Sequence, residues 1–306
     1  MEWYWILLIV LAGLFGLALL LTLGISIGLI HYLSYPKHYE AAYCNESDVK
    51  KGLIQDQSIF KREPLNLTMR DGYVIHGDYI PAENSKGLII FTHGYTWCRE
   101  GDLKYVEMTL PLGYDAYIYD DRGHGENKRV ASTMGYKESK DLQEIISYFR
   151  KKRGEDAIIG LLGESMGAAT TLEVLKYKEK IAFVMEDSGY SSLKTELEFQ
   201  LRKWPILQKL LPLCDLFLRL AHGYSMRGVD ALLAEKDYHG PLLIMHGEAD
   251  TFVSPECAKK IAAGHDGYHE IHFYPGCDHT LAPGILNKEY TADLQAFLKK
   301  IEPSLK

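Results

Sequence analysis

The stretch LLGESMGAAT, Leu161 to Thr170, sets Ser165 between Gly163 and Gly167, with an apolar run before it and small residues after it. The run AIIGLL upstream has the length and apolar character of a buried strand. MGAATTLEVLKYKEK downstream has the pattern of a helix, with Ala168 and Ala169 small enough to let it pack close to the turn. Glycines on both sides let the backbone fold sharply and lift the serine hydroxyl out of the corner. A tight turn needing small residues would explain the glycines alone. A nucleophile at a strand-to-helix corner explains them together with the strand, the serine and the helix.

A serine hydroxyl needs a base, and the base needs an orienting carboxylate. The segment HGEADTFV follows the strand-like PLLIM and places Asp250 at its carboxyl end; PGCDHT follows the next apolar run and places His279 in the equivalent position. Each has an ordinary alternative. Asp250 could cap a helix beginning near Pro255, and His279 could be a loop histidine. Jointly, at three strand ends and in the order Ser165, Asp250, His279, they read as a catalytic triad. FTHGYTW follows the strand GLIIF, where His93-Gly94 would turn the chain toward the site. The Tyr95 amide and the Met166 amide are then the expected oxyanion donors, the second at a helix N-terminus.

Around these residues, short apolar runs alternate with longer helical ones. PLNLTM, Asp71-Gly72 and YVIHGDYI read as a hairpin with a two-residue turn. GLIIFTH, DAYIYD, AIIGLLG, AFVMED, PLLIMHG and HEIHFYP read as buried strands separated by helices. That alternation implies an α/β fold with a mostly parallel sheet covered on both faces. In such sheets chemistry collects at the carboxyl ends of the strands.

The His93-Gly94 turn, DRGHGEN from Asp121, GESMG around Ser165, HGEAD ending at Asp250 and GCDH ending at His279 together resemble the α/β-hydrolase superfamily. The resemblance runs from about Pro64 to the C-terminus. It is greatest to the serine-aminopeptidase and monoacylglycerol-lipase-like group, which includes membrane-anchored members. It implies an α/β-hydrolase fold with a helical cap, a serine hydrolase mechanism and no cofactor. HGYT lacks the further glycines of the HGGG pattern, so the likeness does not extend to triglyceride lipases.

Two residues compete for roles. His124 in DRGHGEN follows an early strand and is expected, with Asp121 and Arg122, to tie down loops. Asp187 in MEDSGYSS ends another strand and is the rival acid; position favours Asp250. Residues 190–236 are expected to form the cap. There Leu193, Leu197, Leu201, Trp204, Leu207, Leu210, Leu211 and Phe217 recur at helical spacing, with Pro205 and Pro212 breaking the run into short helices. These side chains would either pack on the sheet core or roof the site; in the second case Trp204 lies in the acyl subsite.

The first 36 residues differ from the rest. Trp3 to Ile30 is WYWILLIVLAGLFGLALLLTLGISIGLI, 28 positions without a charge, against the ~20 that span a bilayer core. Trp3, Tyr4 and Trp5 at one end, and Tyr32 and Tyr35 at the other, suit the two interfaces. No Lys or Arg precedes the run and its apolar stretch exceeds the ~7–15 residues of a signal peptide, so residues 1–36 are expected to be a single transmembrane anchor. Residues 37–63 read as a polar juxtamembrane connector and 64–306 as the catalytic domain. Lys37, Lys50 and Lys51 follow the apolar run and none precedes it, which points the domain to the cytoplasm. Five cysteines without a CxxC pair fit reduced thiols in the same compartment.

Composition narrows the partners. With 47% hydrophobic and 25% charged residues the 306-residue chain can build a sizeable core, and a net charge of −7 argues against nucleic acid. No HExxH occurs among its twelve histidines, so no metal site is expected. The reading is a membrane-anchored serine hydrolase acting on a carboxylic ester of acyl, lipid-like type. The alternatives are a serine peptidase or aminopeptidase using the same triad, and a catalytically silent, membrane-tethered binding module.

Overall fold

The structure is a computed structural model describing residues 2–37, 39–54 and 60–305. Its centre is an eight-stranded sheet in the order β1-β4-β6-β5-β7-β8-β9-β10. The strands are β1 (Glu63–Pro64), β4 (Gly77–Ile80), β5 (Gly87–Thr92), β6 (Tyr114–Tyr119), β7 (Ile159–Glu164), β8 (Phe183–Asp187), β9 (Leu242–Gly247) and β10 (His269–Tyr274). From β6 to β10 all neighbours are parallel, while β1 and β4 add an antiparallel edge. Each apolar run named from the sequence is one of these strands. Strands β5 to β9 are buried along their whole length because both sheet faces are covered there, so alternation sorts side chains between two cores, while the edge strand β10 is only half-buried. On β5, Ile89 and Phe91 join one core with Val106 and Phe297. Leu88 and Ile90 join the other with Ile146 and Leu172.

The helices that cover those cores follow from the same pleat. Helices α3 (Leu103–Thr109) and α12 (Asn287–Ile301) supply one face; α4 (Glu138–Arg153), α5 (Met166–Glu173), α9 (Ala231–Ala234) and α10 (Glu256–Gly264) supply the other. Four-residue α11 (Ala282–Ile285) precedes α12. The small hairpin pairs β2 (Leu67–Thr68) with β3 (Val74–Ile75). Its turn takes three residues and not two: Met69 donates to the Tyr73 carbonyl, and Gly72 adopts φ 81° between them.

The cap lies between β8 and β9, as α6 (Leu193–Gln200), α7 (Pro205–Gln208) and α8 (Leu211–His222). Pro205 and Pro212 stand in the first turns of α7 and α8, where a missing N–H costs nothing. The apolar series divides. Leu193, Leu211 and Leu218 are buried in a third core with Met166 and Tyr190, whereas Trp204 is 63% exposed.

Upstream, α1 (Trp3–Ser34) is one uninterrupted 32-residue helix, and no residue from Trp3 to Ile25 is buried. It is long and apolar enough to cross a membrane. Within residues 37–63 the chain forms α2 (Ala41–Lys50), followed by buried Leu53 and Ile54. That segment is therefore packed on the domain and not merely a connector. Its burial comes from single residues, such as Cys44 and Asp48, and not from an apolar stripe.

Candidate active site

Three loops at the carboxyl ends of β7, β9 and β10 converge on Ser165. The corner after β7 is tight. Ser165 sits at φ 54° and ψ −113°, a conformation that costs a non-glycine residue ~1–3 kcal/mol and persists only where the surroundings enforce it. Here its amide donates to the Asp187 carbonyl at 2.8 Å. A Cβ on Gly167 would lie 1.8 Å from the Thr92 carbonyl oxygen, and one on Gly163 would lie 2.3 Å from that of Gly167. Both glycines are needed for close approach of strand, turn and helix.

The hydroxyl of Ser165 lies 2.9 Å from His279 Nε2, and His279 Nδ1 lies 2.7 Å from Asp250 Oδ2. With Nδ1 protonated toward the carboxylate, Nε2 is left as the acceptor for the serine proton. Asp250 is itself fixed: Oδ1 accepts the amides of Phe252 and Val253, each at 2.8 Å. Asp278 braces the neighbouring loop by accepting the amides of Thr251 (2.8 Å) and His279 (2.9 Å). Burial opposes charge on Asp250, but hydrogen bonds from His246 and His279 outweigh it and hold the carboxyl down to about 2.

His246 is a residue the sequence reading passed over. It is fully buried on β9, with Nε2 3.2 Å from Asp250 Oδ2. Burial pushes its pKa down, yet the hydrogen bond to Asp250 and the charge of Glu186 lift it above the ordinary value overall. Asp250 thus has an imidazole on each side.

The rival acid occupies a different environment. Asp187 Oδ2 lies 2.9 Å from the Tyr105 hydroxyl and 2.8 Å from that of Tyr290, and Oδ1 accepts from Ser188 at 2.8 Å. Burial and the adjacent charge of Glu164 both raise its pKa. Its oxygens are engaged by three hydroxyls and not by an imidazole. His124 is likewise elsewhere, its ring 5.3 Å from that of His93, and its neighbour Arg122 ties Asp141 and Asp71 at 2.8 Å.

The loop after β5 carries the expected oxyanion donor. His93 Nε2 accepts the Asp121 amide at 2.9 Å, so its proton is on Nδ1, which donates to the Gly94 carbonyl at 2.8 Å. Burial lowers the pKa of this imidazole and keeps it neutral in that bridging role. The loop is therefore pinned through His93 immediately before Tyr95. Neither the Tyr95 amide nor the Met166 amide has an acceptor among the described residues.

Two hollows meet at Ser165. One, about 290 Å³, is lined by Asp48, Trp97, Lys104 and Glu164. Lys104 is buried against Glu164; burial opposes the glutamate's charge, but that ammonium holds its pKa below the ordinary value. No local pattern marks this pair, because Glu164 occupies the variable place of the glycine-serine-glycine turn. The other hollow, about 230 Å³, is lined by Leu29, Leu33, Leu197, Leu201 and Leu211, with Glu196 as its one acid. Trp204, expected in an acyl subsite, lines neither hollow. It opens the short helix α7 at the surface, while Leu193 of α6 and Leu211 and Leu218 of α8 turn inward.

Comparison with known proteins places this architecture. A family model described as serine aminopeptidase, S33, matches residues 83–197. An uncharacterized protein of Bacillus subtilis (strain 168), YqkD, is 26% identical over 303 residues, covering 95% of this chain and 98% of that protein. YfhR of Salmonella typhi, also uncharacterized, is 24% identical over 71% of this chain and 74% of its own length. Among solved structures, the Pyrococcus furiosus esterase Pf2001 superposes with a TM-score of 0.65 at 20% identity, over 88% of this chain and 97% of its own. A soluble variant of Saccharomyces cerevisiae monoglyceride lipase gives 0.64 at 15% identity, over 81% and 97%. The sheet order and these structural likenesses together show that the chain has the α/β-hydrolase fold.

Proposed function

We propose that the protein is a membrane-anchored serine hydrolase that cleaves a carboxylic ester with an apolar acyl part. The observation that carries this reading is the unbroken hydrogen-bonded series Ser165 Oγ, His279, Asp250, with the nucleophile at the junction of a polar and an apolar hollow. Ser165 Oγ attacks the ester carbonyl carbon as His279 Nε2 takes its proton. The Tyr95 and Met166 amides receive the developing oxyanion, each such donor typically lowering the barrier by ~2.7–4 kcal/mol. Collapse of the tetrahedral intermediate breaks the bond to the alcohol, which leaves with the proton from His279. Water, deprotonated by the same imidazole, then releases the acid and frees Ser165. Asp250 holds the ring and balances the imidazolium charge throughout.

A peptidase would use the same three residues, and the S33 family model favours testing it. Glu196 is the acid that would meet a free amine. Burial raises its carboxyl to about 7, and an acid held partly neutral among leucines is a poor ammonium site. Ester cleavage therefore stands first.

The test is fluorophosphonate labelling of the full chain, followed by a panel of acyl esters and aminoacyl amides. Wild-type protein is expected to label and to cleave esters. Ser165→Ala is expected to lose labelling and to cut kcat by at least roughly 10⁴-fold. Labelling that survives in the alanine variant would remove Ser165 from the nucleophile role; cleavage of amides alone would make the protein a peptidase.

A further inference from the structure

The apolar hollow at Ser165 is not closed by the catalytic domain alone. Leu29, Ile30, Tyr32 and Leu33, all from α1, line it together with Ser165 and Met166. Ser26, Ile30 and Ser34 are the buried residues of that helix, spaced four apart on one face. Ile30 shares a core with Met166, Tyr190, Leu211 and Cys214. The same end of α1 packs along α8 of the cap.

The contact is also polar and reaches the oxyanion loop. The Tyr95 hydroxyl lies 3.0 Å from the Tyr32 carbonyl and 2.9 Å from that of Leu33. The last carbonyls of a helix have no partner within it, so this one hydroxyl satisfies a need that the helix itself cannot meet. The Ser132 amide donates to the Ser34 carbonyl at 2.7 Å. The residue proposed to supply an oxyanion amide therefore holds the helix end with its side chain.

Length makes the arrangement compatible with a membrane. Residues 3–25, free of the domain, extend about 34 Å as a helix, enough for a ~30 Å hydrocarbon core. The two turns that follow remain available to the domain. With the helix in a bilayer, the hollow then lies at the membrane surface.

We propose that the last two turns of α1 form a wall of the acyl subsite and, through Tyr95, position the oxyanion loop, so that the substrate is a single-chain ester whose chain lies against the membrane helix. At about 230 Å³ the hollow falls below the ~300–1,000 Å³ of typical ligand pockets, which suits one chain and not two. This inference rests on the serine-hydrolase reading. It differs from simple tethering in one consequence: substitutions in α1 alter substrate choice.

The experiment uses the full chain in phosphatidylcholine vesicles, with p-nitrophenyl esters from acetate to palmitate. Leu29→Trp and Leu33→Trp fill the hollow. They are expected to lower the kcat/KM ratio of decanoate to acetate at least tenfold. Leu20→Trp and Ile27→Trp, on exposed positions of the same helix, are expected to leave that ratio within twofold of wild type. If the tryptophans prevent folding, Leu29→Ala and Leu33→Ala enlarge the hollow and are expected to move the optimum to longer chains. Tyr95→Phe keeps the amide but releases the helix end, and is expected to lower kcat several-fold at every chain length with KM for acetate little changed.

A chain-length profile that ignores positions 29 and 33, or that moves equally with positions 20 and 27, overturns the wall. A Tyr95→Phe enzyme with wild-type kcat overturns the coupling. In both cases the enzyme is still an active esterase, so the serine-hydrolase reading survives. A wild-type chain that neither labels at Ser165 nor cleaves any ester overturns that reading, and this inference with it.

Discussion

At the scale of single residues, two acids separate by environment. Asp250 faces two imidazoles and two amides; Asp187 faces three hydroxyls and a neighbouring carboxylate. Asp250→Asn is expected to lower kcat by about 10⁴-fold near pH 7, because the amide favours the wrong imidazole tautomer. Asp187→Asn should change kcat less than tenfold and instead lower the melting temperature, since it weakens buried hydrogen bonds to a carboxyl. Steady-state rates with p-nitrophenyl butyrate and thermal melts of both variants check the pair. A larger rate loss in Asp187→Asn would reverse the assignment.

Glu196 gives a second residue-scale prediction. Burial raises its carboxyl to about 7, only partly offset by the Gln200 hydrogen bond and the field of His279. Its Oε2 has no partner among the described residues, as suits a protonated oxygen in an apolar hollow. The folded-state pKa lies above the unfolded one, so the folded protein binds the proton more tightly. The associated stability is full below about 4.5 and is lost as pH rises through about 7. KM for long-chain esters is accordingly expected to rise between pH 6 and 8, and Glu196→Gln to remove that rise. A KM profile shared by wild type and Glu196→Gln would show that the acid stays uncharged or lies outside the subsite.

At the scale of elements, the turn between β7 and α5 is where the sequence spoke most clearly. A strand, two glycines and a helix with alanines in its first turn leave one backbone path, and both glycines have carbonyl oxygens where a Cβ would go. Gly167→Ala must displace the strand or the helix. A cost of about 2 kcal/mol or more is expected, lowering the melting temperature by roughly 4–8 °C. A melt within 1 °C of wild type would mean that the corner relaxes freely. Strands were legible because burial on both faces makes them continuously apolar. The loops carrying Ser165, Asp250 and His279 were legible because each follows such a strand. The hairpin turn was misread by one residue, since Asp71-Gly72 also suits a three-residue loop ending in a left-handed glycine.

What stayed hidden depends on contacts between distant segments. Helix α2 has no apolar stripe, so nothing local marks it as packed. Lys104 and Glu164 lie on separate elements and pair only after folding. His246 sits inside the run PLLIMHG, where a strand residue and a support for Asp250 look alike. The cap leucines showed helical spacing, but spacing does not say which residues turn inward. Trp204, the largest apolar residue of the cap, is left at the surface with Ile206, Leu216 and Leu220.

At the scale of the whole molecule, the proposed membrane anchor raises the question of which side of the membrane would carry the catalytic domain. The apolar run is preceded by Glu2 and followed by Lys37, Lys50 and Lys51, and positive charge is retained on the cytoplasmic side. On this charge argument we propose that residues 37–306 face the cytoplasm. The protein is therefore expected in the membrane fraction, resistant to alkaline extraction. Protease added to intact cells should leave the domain whole, while the same protease should degrade it once the cells are permeabilised. Loss of the domain from intact cells would put it on the outer face, and the three lysines would then have no part in orienting α1. Release of the full chain by alkali would be more damaging, because a helix that does not span the bilayer could not hold its last two turns at the membrane surface.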